Sequence, residues 1–178
     1  MRRLAFAVVL FAFLVFVAAG CGKSEPKAVP TNEWANDICG DLVTWTTTMK
    51  SVASSVKANP TKSGAQDAVN QAKDATSTLT DSLKSLGKPD TSTGDQAKSD
   101  ISALADQLSA DIDSIESSFK NASTASEVLA SLSSSASTLT TMSKQVSDTF
   151  GKLQQLDAKG ELEKAFSSSA NCKQLTSG

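Results

Sequence analysis

The amino-acid sequence predicts an all-α fold, an up-down-up-down four-helix bundle with a short C-terminal helical extension, over residues 31–178. Four stretches place apolar residues at spacings of three and four, which is the period of one helix face. Proline, glycine or short polar breaks separate the stretches. Short connections make consecutive helices antiparallel neighbours, so the four stretches together predict a bundle.

The first helix is predicted to begin at Thr31 or Asn32, because either side chain can cap the free N–H groups of a first turn. It is predicted to end at Asn59, since the residue before Pro60 avoids helical torsion angles. Its apolar face follows a heptad-like spacing: Ile38, Leu42, Trp45, Met49, Val52 and Val56.

The second helix is predicted over residues 61–86, and the sequence Gly87-Lys88-Pro89 ends it. Its apolar face changes along the chain from small to large side chains: Ala65, Ala68, Ala72, Ala75, Leu79, Leu83 and Leu86. Alanine lets helices approach closely but buries little apolar area. The end of the bundle that holds these alanines is therefore predicted to have a thin core.

The third helix is predicted over residues 94–119, with a break at Lys120-Asn121. Its apolar face is Ala97, Ile101, Leu104, Leu108, Ile112, Ile115 and Phe119. The polar faces of the helices are rich in Ser and Thr, which are mediocre helix formers. A disordered Ser/Thr stalk is the alternative, but a sustained apolar pattern argues for a packed core.

The fourth helix is predicted to begin after Ser123 or Thr124, with Glu127 as the partner in a capping box. Its apolar face is Val128, Leu132, Ala136, Leu139, Met142, Val146, Phe150, Leu153 and Leu156. Gly160 interrupts the pattern, and a short fifth piece from Glu161 to about residue 171 leads to the last cysteine.

Residues 1–20 are predicted to be an export signal. Arg2 and Arg3 form a positively charged start, and an unbroken apolar run from Leu4 to Ala18 ends in small residues. Such a run is short of the roughly 20 residues that a membrane-spanning helix needs, so a retained transmembrane helix is the weaker alternative.

The junction Ala18-Ala19-Gly20-Cys21 resembles a bacterial lipobox, although alanine stands where leucine is usual, three places before the cysteine. The resemblance implies that Cys21 receives a diacylglyceryl group and becomes the first residue of a lipoprotein, with the membrane as its partner. Two acyl chains anchor a protein durably where one does not. Cleavage without lipidation is the alternative. Residues 21–30 contain two prolines and are predicted to form an extended tether.

Cys39 and Cys172 remain as an even pair once Cys21 is assigned to the lipid, and exported proteins keep disulfides. In an up-down-up-down bundle the end of the fourth helix returns to the pole where the first begins. Counting and topology therefore both predict a Cys39–Cys172 bridge. Two separate buried thiols are the alternative.

Composition argues against several function classes. The sequence contains no His, and Arg2 and Arg3 are its only arginines. Without His, common catalytic triads and common zinc or haem ligand sets cannot form. Removal of both arginines turns 17 basic residues into 15 against 19 acidic ones, so the mature net charge is −4. We therefore expect no enzyme activity, no cofactor and no nucleic-acid partner.

Three groups of residues are weighed as ligand sites. Trp34 and Trp45 share a helix face and could stack a ligand, or they are plain core. The acidic string DIDSIE, residues 111–116, has the Asp-x-Asp spacing of calcium loops but lacks their glycine turn, which favours a solvated helix face. Met49 and Met142 could ligate copper, but their positions on apolar faces favour core packing.

The pattern WANDICGDLVTW, residues 34–45, with the late NCKQL resembles an arrangement in small secreted and lipid-anchored proteins of actinobacteria. The resemblance covers the ends of the domain and implies a helical fold at the extracytoplasmic face of the cell membrane. The sequence thus favours a lipid-anchored binding or interaction module of the cell envelope, whose partner is a protein, a lipid or a cell-wall component. The alternative is a carrier or chaperone for an apolar ligand, with a cavity among Leu83, Leu86, Leu104 and Phe119.

Overall fold

The computed structural model describes residues 27–59 and 61–177, with side chains through Leu175. Six helices account for most of these residues: α1 (Thr31–Ala58), α2 (Lys62–Ser85), α3 (Gly94–Asn121), α4 (Ala125–Leu156), α5 (Glu161–Ser168) and α6 (Ala170–Ser177). Two strands of two residues each are also present: β1 (Ala28–Val29) and β2 (Lys88–Pro89).

The four long helices pack in chain order. Helix α1 packs on α2, α2 on α3 and α3 on α4 in antiparallel contacts, and α5 and α6 fold back against α1. The predicted all-α bundle with a short C-terminal extension is therefore confirmed. Within the described ranges, the backbones of α1 and α4 stay farther apart than those of consecutive long helices, so a gap remains on the fourth side of the bundle.

The core is divided between two ends of the bundle. We call the end where α1 and α3 begin the near pole, and the end where they finish the far pole. The near-pole core contains large, fully buried side chains: Trp34, Ile38, Leu42, Leu83, Leu104, Leu108 and Leu153. The far-pole core is smaller, and in it alanines of α2 pack with Val52, Ile115 and Phe119. The alanine pattern of α2 predicted this thin end.

The start of α4 is a capping box, as predicted. The Thr124 hydroxyl accepts the Glu127 N–H at 3.3 Å, and the Glu127 carboxylate accepts the N–H groups of Ser123 and Thr124 at 2.7 and 2.8 Å. These backbone hydrogen bonds hold the pKa of Glu127 below its usual value. The carboxylate stabilises the fold while it is ionised, and that contribution is lost as the pH falls below about 4.5, the value of an unperturbed glutamate.

Other helix boundaries differ from the sequence prediction. Neither Thr31 nor Asn32 caps α1; the Pro30 carbonyl instead accepts the Trp34 N–H at 3.0 Å. Helix α3 continues through Asn121, past the predicted break, and the chain is not helical at residues 122–124. The single predicted fifth piece is two helices, α5 and α6, separated at Ser169. Pro60, predicted to help end α1, lies outside the described residues.

The end of α2 is fixed by a lysine from the next helix. Lys98 donates hydrogen bonds from its Nζ to the carbonyls of Leu83 at 3.0 Å and Lys84 at 2.8 Å. These carbonyls belong to the last turn of α2, where no intrahelical N–H can reach them. Partial burial of the ammonium group lowers the pKa of Lys98.

A short parallel pairing of β1 with β2 was not predicted from the sequence. Ala28 lies beside Lys88 and Val29 beside Pro89, so the chain that leads into α1 is joined to the α2–α3 connection. Gly87 allows this approach, because a Cβ atom there would collide with the backbone carbonyl of Lys27. Two-residue strands carry no periodic pattern that a sequence could reveal.

Candidate functional site

A disulfide closes the near pole. It joins Cys39 of α1 to Cys172 of α6, with the Sγ atoms 2.04 Å apart and the Cα atoms 4.9 Å apart. Both cysteines are buried. The pairing predicted from cysteine count and bundle topology is confirmed, whereas Cys21, the predicted lipidation site, lies outside the described residues.

Polar and aromatic contacts hold α5 and α6 against α1 beside the disulfide. The Ser169 hydroxyl donates to Asn36 Oδ1 at 3.0 Å, and Asn171 Nδ2 donates to the Asn36 carbonyl at 3.1 Å. The ring of Phe166 packs edge-on against Trp34 at 6.1 Å and against Phe150 at 5.0 Å, measured between ring centroids. The C-terminal helices are therefore an integral part of the near-pole core.

The two tryptophans are core residues. Trp34 is fully buried and donates from Nε1 to the Gly87 carbonyl at 3.0 Å. Trp45 is 4% exposed and donates from Nε1 to the hydroxyl of buried Thr76 at 3.0 Å. Both indole N–H groups are used inside the fold, so both tryptophans are part of the core, and Trp45 also lines a cavity described below.

The acidic string of α3 is only partly exposed: Asp111 is half-buried, and its Oδ2 atom is buried without a hydrogen-bond partner among the described residues. Ile112 and Ile115 point into the far-pole core, and Asp113 is exposed. Glu116 forms ion pairs with Lys73 at 2.7 Å and Lys120 at 2.8 Å. The hydrogen bond from Lys120, followed by the one from Lys73, lowers the pKa of Glu116. The hydrogen bond between Lys73 and Glu116 raises the pKa of Lys73.

In the described ranges, no three His, Cys, Asp or Glu side chains come close enough to hold a metal ion. Met142 is fully buried in the near-pole core, and Met49 is half-buried between the two cores. Both methionines therefore pack as the apolar pattern indicated.

The four residues proposed from the sequence to surround an apolar ligand do not lie together. Leu83 and Leu104 are fully buried in the near-pole core, and Leu86 packs against that core. Phe119 belongs to the core at the other end of the bundle. The four side chains are therefore divided between the two cores and do not line one site.

Two cavities instead lie along the open side of the bundle, between α1 and α4. We call this side the furrow. The upper cavity has a volume of about 470 Å³, and α5 and α6 cover it near the disulfide. Its apolar walls include Trp45, Val146, Phe150, Phe166 and Leu175.

The lower cavity of the furrow has a volume of about 220 Å³ and lies toward the far pole. Thirteen of its 15 lining residues are apolar, and Lys57 and Ser135 are the exceptions. The alanines at the start of α2 form part of its floor, where their small side chains leave space. The sequence pattern predicted a thin core at the far pole, but it did not predict that a cavity would lie there.

The two cavities are neighbours along the same furrow. On α1, Thr46 is the last residue that lines the upper cavity and Met49 is the first that lines the lower cavity. On α4, Ser143 lines the upper cavity and Leu139 lines the lower cavity. Each step is about one helical turn. From Cys39 to Lys57 the α1 wall of the furrow is about 27 Å long at ~1.5 Å per residue.

Charge is distributed unevenly along the furrow. Lys50 and Lys57 are the only charged residues of α1 between residues 42 and 58, and α4 has none between residues 128 and 143. Lys57 lines the lower cavity, and Lys50 lies seven residues earlier on the same edge of the helix. Over these two stretches the helices therefore carry only positive charge, although the chain has a net negative charge.

A third depression, of about 350 Å³, is polar and lies at the near pole beside the disulfide. It is lined by Asp37 and Asp41, together with Asn36, Gly40 and Asn171. Partial burial, and then the nearby charge of Asp37, raise the pKa of Asp41. These two carboxylates are one helical turn apart, and no third acidic side chain of the described residues lines the depression.

The described helices include none long and apolar enough to cross a membrane. Comparison of the chain with protein-family models, with curated proteins and with solved structures finds no match in any of the three.

Proposed function

We propose that the protein is a lipid-anchored, extracytoplasmic binding module without catalytic activity, and that the furrow is its ligand site. The lipobox-like junction supports an anchor at Cys21, and the resemblance to small envelope proteins of actinobacteria supports the location. The missing His and the loss of both arginines with the leader support a non-catalytic role.

The observation that carries the proposal is the open furrow itself. Many of the large apolar side chains of the bundle are fully buried. Along the furrow, by contrast, α4 leaves Leu132 and Leu139 half-buried and Ala136 exposed, although all three belong to its apolar face. A concave, mostly apolar surface with a few polar groups is the usual form of a ligand site.

The furrow also gives the carrier alternative a new location. The upper and lower cavities together are in the size range of roughly 300–1,000 Å³ that small-molecule sites occupy. A carrier function would place the apolar ligand between α1 and α4, where the cavities lie.

A site-specific crosslinking experiment in the native host tests the proposal without knowledge of the ligand. A photoreactive phenylalanine analogue replaces Ser147, an exposed residue of α4 that lines the larger upper cavity, or Ala130, which is exposed on another face of α4. We expect a defined adduct, in the membrane fraction, from position 147 and none from position 130. Equal labelling at both positions, or no adduct at position 147, would contradict a furrow site.

The same cells test the anchor. A Cys21→Ala chain should remain unprocessed or leave the membrane, because it has no thiol to accept the diacylglyceryl group. Normal maturation and membrane partition of this variant would rule out anchoring through Cys21.

A further inference from the structure

We propose that the furrow binds an amphiphile with a single acyl chain and an anionic headgroup, the chain lying in the cavities and the headgroup at Lys57 and Lys50. This inference rests on the proposed function, since it names the ligand class of the same site. It is carried by the chemistry of the walls, the volume of the cavities and the charge at the rim.

The walls of the lower cavity suit a hydrocarbon chain. Val52 and Val56 of α1, Phe119 of α3, and Leu132 and Leu139 of α4 face the cavity, and its only polar linings are Lys57 and Ser135. The Ser135 hydroxyl is already engaged, because it donates to the Ser131 carbonyl at 2.7 Å. An acyl chain would need no hydrogen bonds here, and each buried methylene would strengthen binding roughly fourfold.

The volume of the cavities selects one chain rather than two. If a methylene takes roughly the ~30 Å³ of a water molecule, the lower cavity holds about seven methylenes and the upper cavity about 15. The α1 wall, about 27 Å long, exceeds the ~15 Å that a chain spans in one leaflet of a bilayer. One chain fits along the furrow, whereas a second chain beside it does not.

The rim of the furrow suits an anionic headgroup. Lys57 lines the lower cavity at its far-pole end, and Lys50 lies on the same edge of α1. No acidic residue occurs on the facing stretches, residues 42–58 of α1 and 128–143 of α4. In a chain of net negative charge, a carboxylate or phosphate approaching this rim meets attraction from both lysines and no repulsion from these stretches.

An exposed leucine marks the mouth of the furrow at the far pole. Among the described residues, Leu129 is the large apolar side chain left most open to solvent, 70% exposed. It lies seven residues before Ala136, two turns away on the same edge of α4. Apolar surface therefore continues from the lower cavity to the outside, beside the end of the furrow where Lys57 lies.

Binding measurements on the exported full chain carrying Cys21→Ser, which lacks acyl groups of its own, test the inference. The probes are lysophosphatidylglycerol, which is anionic, and monoacylglycerol of the same chain length, which is neutral, each titrated below its micelle concentration. Ala53→Phe and Ala136→Phe fill the lower cavity from its two exposed walls. Ala130→Phe, on another face of α4, is the matched control.

We expect both lipids to bind, with lysophosphatidylglycerol the tighter. Each cavity-filling variant should weaken both lipids by at least about tenfold, and Ala130→Phe should weaken neither. The double variant Lys50→Gln/Lys57→Gln should weaken lysophosphatidylglycerol by roughly tenfold or more and leave monoacylglycerol unchanged, because each lysine near an anionic lipid contributes roughly a fivefold factor. Lys152→Gln, an exposed lysine of α4 that lines neither cavity, should change neither affinity.

Three results would overturn the inference: absence of binding of either lipid, binding that the cavity-filling variants do not weaken, or equal loss of both lipids in the lysine double variant. A protein adduct at position 147 in cells, together with no lipid binding, would overturn the amphiphile while leaving the furrow as the site of the proposed function. Absence of any adduct at position 147 would remove that function as well.

Discussion

At the scale of single residues, a buried pair of polar side chains joins α1 to α2. Thr76 of α2 is fully buried, donates its hydroxyl to the Ala72 carbonyl at 2.8 Å and accepts the indole N–H of Trp45 at 3.0 Å. The sequence indicated that Trp45 faces the core. It could not identify the hydroxyl that would satisfy the indole, because α2 contains three threonines within five residues and the choice depends on how α1 and α2 are rotated against each other.

Replacement of Thr76 by valine keeps the shape of the side chain but removes the acceptor. We expect Thr76→Val to lower the free energy of unfolding by about 1–3 kcal/mol, because the Trp45 N–H stays buried without a partner. Thr78→Val is the matched control, since Thr78 is exposed and bonds only to the Asp74 carbonyl of its own helix. Its cost should be less than about 0.5 kcal/mol in urea denaturation. Equal costs for the two variants would contradict the role of the Trp45–Thr76 pair.

At the scale of helices, α3 and α4 have equally regular apolar patterns but unequal burial. Every residue predicted for the apolar face of α3 is buried. On α4, burial is complete at Met142 and Leu153 but partial at Val128, Leu132 and Leu139. The period of a sequence predicts which face of a helix is apolar. It does not predict how closely a non-sequential neighbour approaches, and the backbone of α1 lies farther from α4 than from α2.

Replacement of one leucine by alanine in each helix should reveal the difference in burial between α3 and α4. Leu108→Ala is expected to lower the free energy of unfolding by about 2–5 kcal/mol, because Leu108 is fully buried in the near-pole core. Leu139→Ala should cost roughly half as much, since Leu139 lines the lower cavity and is already partly in contact with water. From the pattern alone both residues would be plain core with the same cost. Equal costs in denaturation experiments would show that the furrow closes in solution.

At the scale of the whole molecule, the sequence predicted the bundle, its chain order and the disulfide, because all three follow from periodicity, short connections and a count of cysteines. It did not predict the furrow. That feature depends on α5 and α6 packing against α1 at the near pole, and on small alanines at the far pole. A useful signal was nevertheless present: residues 128–143 of α4 contain no charge at all, which is unusual for a helix face that only meets water.

The disulfide is expected to hold the chain ends and the cover of the upper cavity together. Cys39 and Cys172 are 133 residues apart and both line that cavity. Loss of the bridge frees a long loop in the unfolded chain, at a cost of up to about 5 kcal/mol on loop-entropy grounds. For a domain of this size, each kcal/mol shifts the thermal midpoint by about 2–4 °C. We therefore expect Cys39→Ser/Cys172→Ser to lower the midpoint by roughly 5–15 °C.

Calorimetry of the double variant beside the oxidised protein measures this shift, and the double substitution avoids a lone thiol in the core. The Asn36 and Phe166 contacts should keep α5 and α6 in place at low temperature, so the far-ultraviolet circular dichroism should stay the same below the transition. Non-reducing peptide mapping of the exported protein supplies the control by locating the bridge. An unchanged midpoint, or two thiols open to alkylation in the oxidised protein, would mean that packing alone closes the near pole, and the upper cavity would then owe its cover to Phe166 and its neighbours rather than to the covalent link.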